Sequence, residues 1–229
     1  MGLVHPSQTS PKDSFATRGI LDPAGDALHS SYGPQGTGLY AQLIRGPASQ
    51  IALAYYSRTD GLLRVAQQGA DGKFLAATID GGTTGGGSTG TDTGAFVSGA
   101  YSADGALNLA YTDSITSHLV FRSVTSAGVA SAVASIDDGQ RTDGIHPVGA
   151  SLRTIDGGLL VLYQDQATRE LELGRYNGGW THSTLRSGDS ERSGFSSHLL
   201  LESATRVYSS WTFDRAVAPL GKLIFGPVP

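Results

Sequence analysis

The sequence predicts an all-β protein, a β-propeller of about four four-stranded blades, with five blades as the alternative. An internal repeat and the turns between its parts carry this prediction. Four segments share a run of apolar or small residues that ends in an aromatic residue, at Tyr55, Tyr111, Tyr163 and Trp211. The steps between these aromatics are 56, 52 and 48 residues, close to the roughly 50-residue period of kelch-type propeller blades.

Other residues keep the same spacing around each aromatic. Seventeen residues before it stands one of Gly38, Gly94, His146 and Gly194. Eight residues after it stands one of Leu63, Leu119 and Leu171, and the fourth copy reaches Leu223 with four additional residues. A spacing kept over four copies indicates one structural unit repeated along the chain.

Each unit is predicted to hold four antiparallel strands joined by short turns. The pairs Asp71-Gly72, Asp104-Gly105 and Asn177-Gly178 are typical of tight turns, and the third strands alternate in LLRVA, HLVFR and ELELG. Strands joined by short turns are antiparallel. Four-stranded units repeated radially form a propeller, which protects the sheet edges by closing a ring.

The domain organisation follows from the same repeat. The sequence predicts an N-terminal tail over residues 1–13 and a single propeller domain over residues 14–229, with repeats at about 38–93, 94–143 and 144–193. The last blade is predicted to combine residues 194–229 with residues 14–37. Strands from both ends of the chain would then share one blade and close the ring.

In its blade pattern, Gly-x16-(Tyr/Trp)-x7-Leu-x-apolar, the chain resembles bacterial secreted β-propeller repeat proteins at the level of architecture. The resemblance covers almost the whole chain and implies a propeller fold. Signatures of particular propeller families are missing. Ser102-Ala103-Asp104-Gly105 departs from the Asp-box of sialidase-type propellers, and neither a WD nor a kelch signature is present.

Composition excludes several partners and sites. Sixteen basic and twenty acidic residues give a net charge of −4, which offers no field for holding nucleic acid. No stretch approaches the roughly 20 apolar residues of a membrane span, so membrane insertion is not expected. The absence of cysteine excludes thiolate nucleophiles and cysteine-based metal sites, and with the resemblance it favours an extracytoplasmic or secreted location. Oligomerisation is left open.

A ligand-binding face is predicted where the turn after each second strand meets the turn before each first strand. Asp113 and Asp165 occupy equivalent positions there, and Asp214 lies one residue later in its copy. Carboxylates in a ring can accept hydrogen bonds from sugar hydroxyls or bind calcium through oxygen. The alternative is that aspartate stands in these turns because tight turns favour it. The predicted ligand-binding residues are Asp113, Asp165, Asp214, His118, His146 and Trp180. No cofactor is predicted, and a need for calcium is left open.

Catalytic patterns are sparse. A pair drawn from Asp113, Asp165 and Glu170 could serve glycoside hydrolysis, but nothing in the sequence selects one pair. A phosphate-binding loop is absent, and the six histidines are scattered singly.

Three functions remain compatible with this pattern. Repetition favours a non-enzymatic, lectin-like or adhesive module that recognises a glycan or another surface ligand through several equivalent blade sites. The first alternative is a propeller enzyme that acts on a glycan or small metabolite with carboxylates at the tunnel mouth. The second is a structural propeller that binds a protein. Whether the chain is an enzyme is left open, and the repetition points towards binding.

Overall fold

A computed structural model describes residues 37–58, 60–69, 71–81, 92–137, 148–165, 168–187, 191–202, 205–214 and 221–229. Apart from one 3₁₀ turn at Pro47–Ser49, the regular structure in these ranges consists of β-strands. None of the helical structure in the described ranges has the length and apolar character needed to cross a membrane.

The strands form four antiparallel sheets that follow one another along the chain. The first sheet holds β1 (Thr37–Arg45), β2 (Ile51–Ser57), β3 (Leu62–Gln68) and β4 (Phe74–Asp80). The second holds β5 (Thr93–Tyr101), β6 (Leu107–Asp113), β7 (His118–Val124) and β8 (Ala134–Asp137). The third holds β9 (Val148–Ile155), β10 (Gly158–Asp165), β11 (Glu170–Tyr176) and β12 (Trp180–Arg186). The fourth holds β13 (Glu191–Glu202), β14 (Thr205–Asp214) and β15 (Gly221–Pro227).

The four sheets are the blades of a β-propeller, as the sequence predicts. The first strand of each blade packs against the first strand of the next, from β1 to β5, from β5 to β9 and from β9 to β13. Three blades have four strands, and the fourth has three strands among the described residues. The strand that the sequence assigns to residues 14–37, and with it the predicted ring closure, falls almost entirely outside the described residues.

Polar side chains join the first strands of neighbouring blades. The N–H of Gly99 donates to Gln42 Oε1 at 2.6 Å, and the N–H of Leu152 donates to Ser98 Oγ at 2.9 Å. The N–H of Leu199 donates to Ser151 Oγ at 3.1 Å. A first strand is the inner edge of its sheet, so these bonds satisfy backbone donors that the sheet itself leaves unpaired.

Each first strand also has a bulge near its beginning. The register against the second strand shifts there in all four blades. Tyr40, Phe96 and Ser196 have positive φ values of 53°, 54° and 46° at these bulges, a conformation that costs a residue with a β-carbon free energy. Bulges redirect side chains, and here they lie at the beginning of the strands that surround the propeller axis.

Apolar side chains fill the gaps between the blades. One buried cluster joins blades one and two, a second joins blades two and three, and a third joins blades three and four. Tyr111 is fully buried in the first cluster, and Tyr163 is 1% exposed in the second. In blades two and three the repeated aromatic of the sequence therefore packs between blades, where a large planar ring buries much area.

The buried tyrosines also form hydrogen bonds with the preceding blade. The Tyr111 hydroxyl donates to Asp80 Oδ2 at 2.5 Å, and the Tyr163 hydroxyl donates to Asp137 Oδ2 at 2.8 Å. Arg122 lies 3.2 Å from Asp80 as well. Asp80 and Asp137 end the fourth strands of their blades, so each bond links an outer strand to the interior of the next blade.

The Tyr111→Phe variant is expected to lower the free energy of unfolding at neutral pH by about 1–3 kcal/mol, because Asp80 loses a buried donor. Burial, followed by the Asp80 hydrogen bond, raises the pKa of Tyr111. A tyrosine whose pKa is higher in the folded than in the unfolded state contributes its full stabilisation of the fold below its unfolded pKa of about 10. That contribution is lost as the pH rises above this value. Above about pH 10, titration of Tyr111 should therefore lower the free energy of unfolding of the unsubstituted protein by about 1.4 kcal/mol per pH unit. The Tyr111→Phe variant should not show this additional loss.

Urea unfolding at pH 8, 10.5 and 11 measures both effects. Tyr176→Phe is the control at neutral pH, because the Tyr176 hydroxyl has no hydrogen-bond partner among the described residues. Equal stability of the two variants at pH 8 would contradict a stabilising bond between Tyr111 and Asp80.

Gly94→Ala is expected to destabilise the protein by about 2 kcal/mol more than Gly105→Ala. Both glycines have positive φ, +109° and +83°. A β-carbon at Gly94 would lie 2.8 Å from the Leu63 α-carbon of the preceding blade, whereas a β-carbon at Gly105 would meet nothing within 4 Å. The difference in urea midpoint between the two variants isolates the blade contact, and equal midpoints would show that the blades can separate at no cost.

Candidate functional site

The strand register defines two faces of the propeller. Thr93 pairs with Asp113, and Asp113 pairs with His118. The beginning of the first strand, the end of the second and the beginning of the third therefore lie at one face, called here the upper face. At the opposite, lower face Tyr101 pairs with Leu107, and Tyr176 pairs with Trp180.

Asp113 and Asp165 lie on the upper face and bind their own turns. Asp113 Oδ1 accepts hydrogen bonds from the N–H groups of Ile115 at 2.9 Å and Thr116 at 3.2 Å. Asp165 Oδ1 accepts one from the N–H of Thr168 at 3.3 Å, and Asp165 is only 6% exposed. These contacts are those of turn-forming aspartates, the alternative that the sequence left open for both residues.

The other predicted site residues are distributed over both faces. His118 and Asp214 lie at strand ends on the upper face, paired with Asp113 and Glu191. His146 falls outside the described residues. Trp180 begins β12 on the lower face, where its ring packs against Tyr176 at 5.2 Å and Phe121 at 5.7 Å between centroids. The structure therefore does not bring Trp180 together with the carboxylates.

Three aromatic rings meet on the upper face between the first two blades. The Tyr40 ring lies 4.3 Å from that of Phe96 and 6.2 Å from that of Tyr56, between centroids. Tyr40 and Phe96 are the bulge residues of β1 and β5, so the bulges direct both rings to the beginning of the first strands. Tyr40 is 45% exposed. We call Tyr40, Tyr56 and Phe96 the mouth cluster.

Two carboxylates accompany the mouth cluster. The Tyr56 hydroxyl donates a short hydrogen bond to Asp92 Oδ1, and the Ser57 hydroxyl donates to Asp60 Oδ2 at 2.8 Å. The N–H of Thr93 donates to the carbonyl of Gly61 at 3.2 Å. Because Asp92 and Asp60 immediately precede these two bonded residues, this backbone bond holds both carboxylates at the same junction of blades one and two.

Electrostatics favour Tyr56 as a permanent donor. Burial, followed by the hydrogen bond to Asp92, raises the pKa of Tyr56. The hydroxyl stays protonated through the physiological range and fixes one oxygen of Asp92. Among the described residues, neither Asp60 nor Asp92 has a further side-chain bond to its other oxygen.

The mouth cluster was only partly visible in the sequence. The repeat places Asp60 and Asp92 in upper-face turns and Tyr56 beside the repeated Tyr55, whereas it does not single out Tyr40 and Phe96. A signal for them existed, since each stands two residues after the glycine that opens its repeat, Gly38 or Gly94. Within the described ranges, no three His, Asp or Glu side chains are placed to hold a metal ion.

No family model and no curated protein matches the chain. Solved structures do match. An exo-β-1,3-galactanase from Phanerochaete chrysosporium, solved with β-1,3-galactotriose, is 10% identical with a TM-score of 0.53, over 82% of this chain and 45% of its own. An exo-1,5-α-L-arabinanase from a bovine ruminal metagenomic library is 8% identical with a TM-score of 0.52, over 82% and 73%. A GH43 β-1,3-galactosidase, solved with galactodeoxynojirimycin, gives 8% and 0.52, over 82% and 71%.

These matches support the propeller fold and correct one prediction. The structures that share the fold are a galactanase, an arabinanase and a galactosidase, so the prediction of a non-enzymatic, lectin-like or adhesive module is wrong. The chain spans 45% of the length of the galactanase and 25% of the length of another matched structure, a bifunctional GH43-CE protein.

Asp113→Ala is expected to lower the free energy of unfolding by about 1 kcal/mol, because two turn N–H groups lose their acceptor. Asp113→Asn keeps a carbonyl oxygen at the Oδ1 position and should lie closer to the unsubstituted protein. Urea unfolding of the two variants tests the turn role of this carboxylate. Equal stability of Asp113→Ala and the unsubstituted protein would leave the side chain free for ligand binding.

Proposed function

We propose that the protein is a glycan-acting hydrolase whose active site is the upper-face junction of blades one and two. One observation carries the proposal: two carboxylates, Asp60 and Asp92, are held at the same backbone junction beside an exposed aromatic surface. Glycoside hydrolysis uses two carboxyl groups on either side of the scissile bond. Aromatic rings bind the apolar face of a sugar through their large contact area.

The mouth cluster supplies the binding surface. Tyr40 is the most accessible ring of the three and packs on Phe96. The strained backbone at both residues supports a functional role, because strain of this kind persists where the surrounding structure imposes it. In this proposal the sugar ring next to the scissile bond contacts Tyr40.

The two carboxylates take complementary roles. One oxygen of Asp92 is fixed by Tyr56 and one oxygen of Asp60 by Ser57, which leaves the second oxygen of each for the substrate. One carboxyl group protonates the leaving oxygen, while the other, ionised, attacks the anomeric carbon or activates a water molecule. The separation of the two groups when substrate is bound determines whether the anomeric configuration is retained or inverted.

Other upper-face residues are better suited to support than to catalysis. Asp80 and Asp137 accept hydrogen bonds from buried tyrosines, and Asp165 is nearly buried. We propose that Asp113, His118 and Asp214 line more distant parts of the same face. Linear α-1,5-arabinan and β-1,3-galactan are the first substrates to test, because the matched structures are enzymes named for these linkages.

Asp60→Asn and Asp92→Asn are each expected to lower the hydrolysis rate by about 100-fold or more, since each removes one member of the carboxyl pair. Reducing-sugar release from arabinan and galactan measures the rate, and NMR of the first product gives its anomeric configuration. Asp71→Asn is the matched control, because Asp71 is 61% exposed and pairs with Lys73 in a lower-face turn.

Two results would count against this assignment. Hydrolysis that survives in both Asp60→Asn and Asp92→Asn would move the active site elsewhere on the propeller. Absence of hydrolysis on both polysaccharides and on a broader panel of plant and microbial glycans, by a folded protein, would reject the hydrolase proposal itself.

A further inference from the structure

The gap between blades two and three differs from the other two gaps between described blades. At the lower face it widens into a cavity of about 540 Å³, a size typical of small-ligand sites. The turn Ser102–Ala106 and residue Asn108 of blade two form one wall, and Tyr176 of blade three belongs to the other. This lower-face cavity lies at the opposite end of the propeller from the mouth cluster.

The repeat itself shows that the lower-face cavity is a departure from the standard blade contact. Three equivalent positions face each gap. They are Ala52, Val65 and Val124 between blades one and two, and Leu160, Leu173 and Val228 between blades three and four. All six are aliphatic and no more than 8% exposed. Between blades two and three the same positions hold Asn108, Phe121 and Tyr176.

Asn108 places unused hydrogen-bonding capacity in the cavity wall. The residue is only 6% exposed, and the one hydrogen bond of its side chain within the described residues runs from Nδ2 to the Ala106 carbonyl at 3.4 Å, longer than an ordinary hydrogen bond. An amide side chain can form four. A buried amide in this state costs free energy unless a ligand or solvent satisfies it.

The aromatic residues supply the second half of a recognition surface. Phe121 and Tyr176 are stacked at 6.0 Å with an interplanar angle of 25°, and both line the cavity. The Tyr176 hydroxyl adds a polar group without a partner among the described residues. Trp180 packs edge-on against Phe121 and tilted against Tyr176, which restricts the movement of both rings.

We propose that the lower-face cavity binds a single neutral sugar residue of a glycan, separately from the proposed active site. A sugar offers hydroxyls that both donate and accept, which matches the amide of Asn108 and the hydroxyl of Tyr176. Its C–H face matches the aromatic wall. The site does not depend on catalysis, and it would keep a polymeric substrate attached while the upper face acts on it.

Charge at the rim favours a neutral sugar over an acidic one. Asp104 lines the cavity and is fully exposed. The hydrogen bond from the Ser102 hydroxyl, and then that from the Ala106 N–H, lower the pKa of Asp104. The rim therefore carries a negative charge at working pH, which repels the carboxylate of a uronic acid.

Titration of the ¹⁵N-labelled protein with galactose, arabinose and glucose, followed by amide NMR, tests the proposal. One sugar ring on one such surface should bind in the roughly millimolar range. At least one of the three is expected to shift the amides of Asn108, Ser123 and Tyr176 saturably. Glucuronate should bind at least about threefold more weakly than glucose, because of the negative rim.

Two variants separate binding from structure. Asn108→Ala installs the residue found at the equivalent position of blade one, Ala52, so it should keep or raise the melting temperature while weakening binding at least tenfold. Tyr176→Val introduces the valine that the other two gaps have at the equivalent positions, Val124 and Val228, and should abolish binding. Tyr176→Phe keeps the aromatic ring and should retain part of the sugar affinity. Asp92→Asn, in the proposed active site, should leave these shifts unchanged.

Several results would overturn the proposal. One is an absence of shifts at the cavity amides up to 100 mM of each sugar, a concentration about two orders above the expected dissociation constant. Another is shifts confined to the neighbourhood of Asp60 and Asp92, which would place all binding on the upper face. A third is a lower melting temperature of Asn108→Ala, which would make Asn108 a structural residue.

Discussion

The inner edge of each sheet imposes the constraint on which the rest of this propeller depends. A first strand has a partner strand on only one side, so its other backbone groups face the axis and need acceptors and donors. Gln42, Ser98 and Ser151 satisfy a backbone donor of the following blade. These bonds join each blade to the next around the axis. The three side chains are therefore engaged in contacts between blades.

The bonds between first strands influence where a reactive site can form. With these side chains engaged between first strands, the groups of the proposed active site lie where the first strands begin, beside the bulges. There the Tyr40 and Phe96 rings lie 4.3 Å apart between centroids, and a backbone bond between Thr93 and Gly61 holds the neighbours of Asp92 and Asp60 together. Further out, the Tyr111 hydroxyl bonds Asp80 and the Tyr163 hydroxyl bonds Asp137, so these two carboxylates join neighbouring blades. The proposed active site is therefore formed by carboxylates that these bonds between blades do not use.

Because the blades repeat one pattern, a residue that differs from its equivalents in the other blades indicates a local role. At three equivalent positions, two of the three gaps between described blades hold aliphatic residues, whereas the third holds an amide and two aromatic rings that line a cavity. A departure from the repeat that costs burial energy is more informative than a conserved apolar position. The equivalent aspartates Asp113 and Asp165 do follow the repeat, because each accepts a hydrogen bond from its own turn.

The sequence alone determined the fold class, because a periodic pattern of strands, turns and one aromatic residue per repeat is a local signal that recurs four times. It also identified the upper face, since strand direction follows from turn length. Only the tertiary structure decided which residues meet there. Tyr40 and Phe96 stand 56 residues apart, and Tyr56 and Asp92 stand 36 apart. Such contacts depend on the bulges and on the rotation between neighbouring blades, which spacing along the chain does not encode.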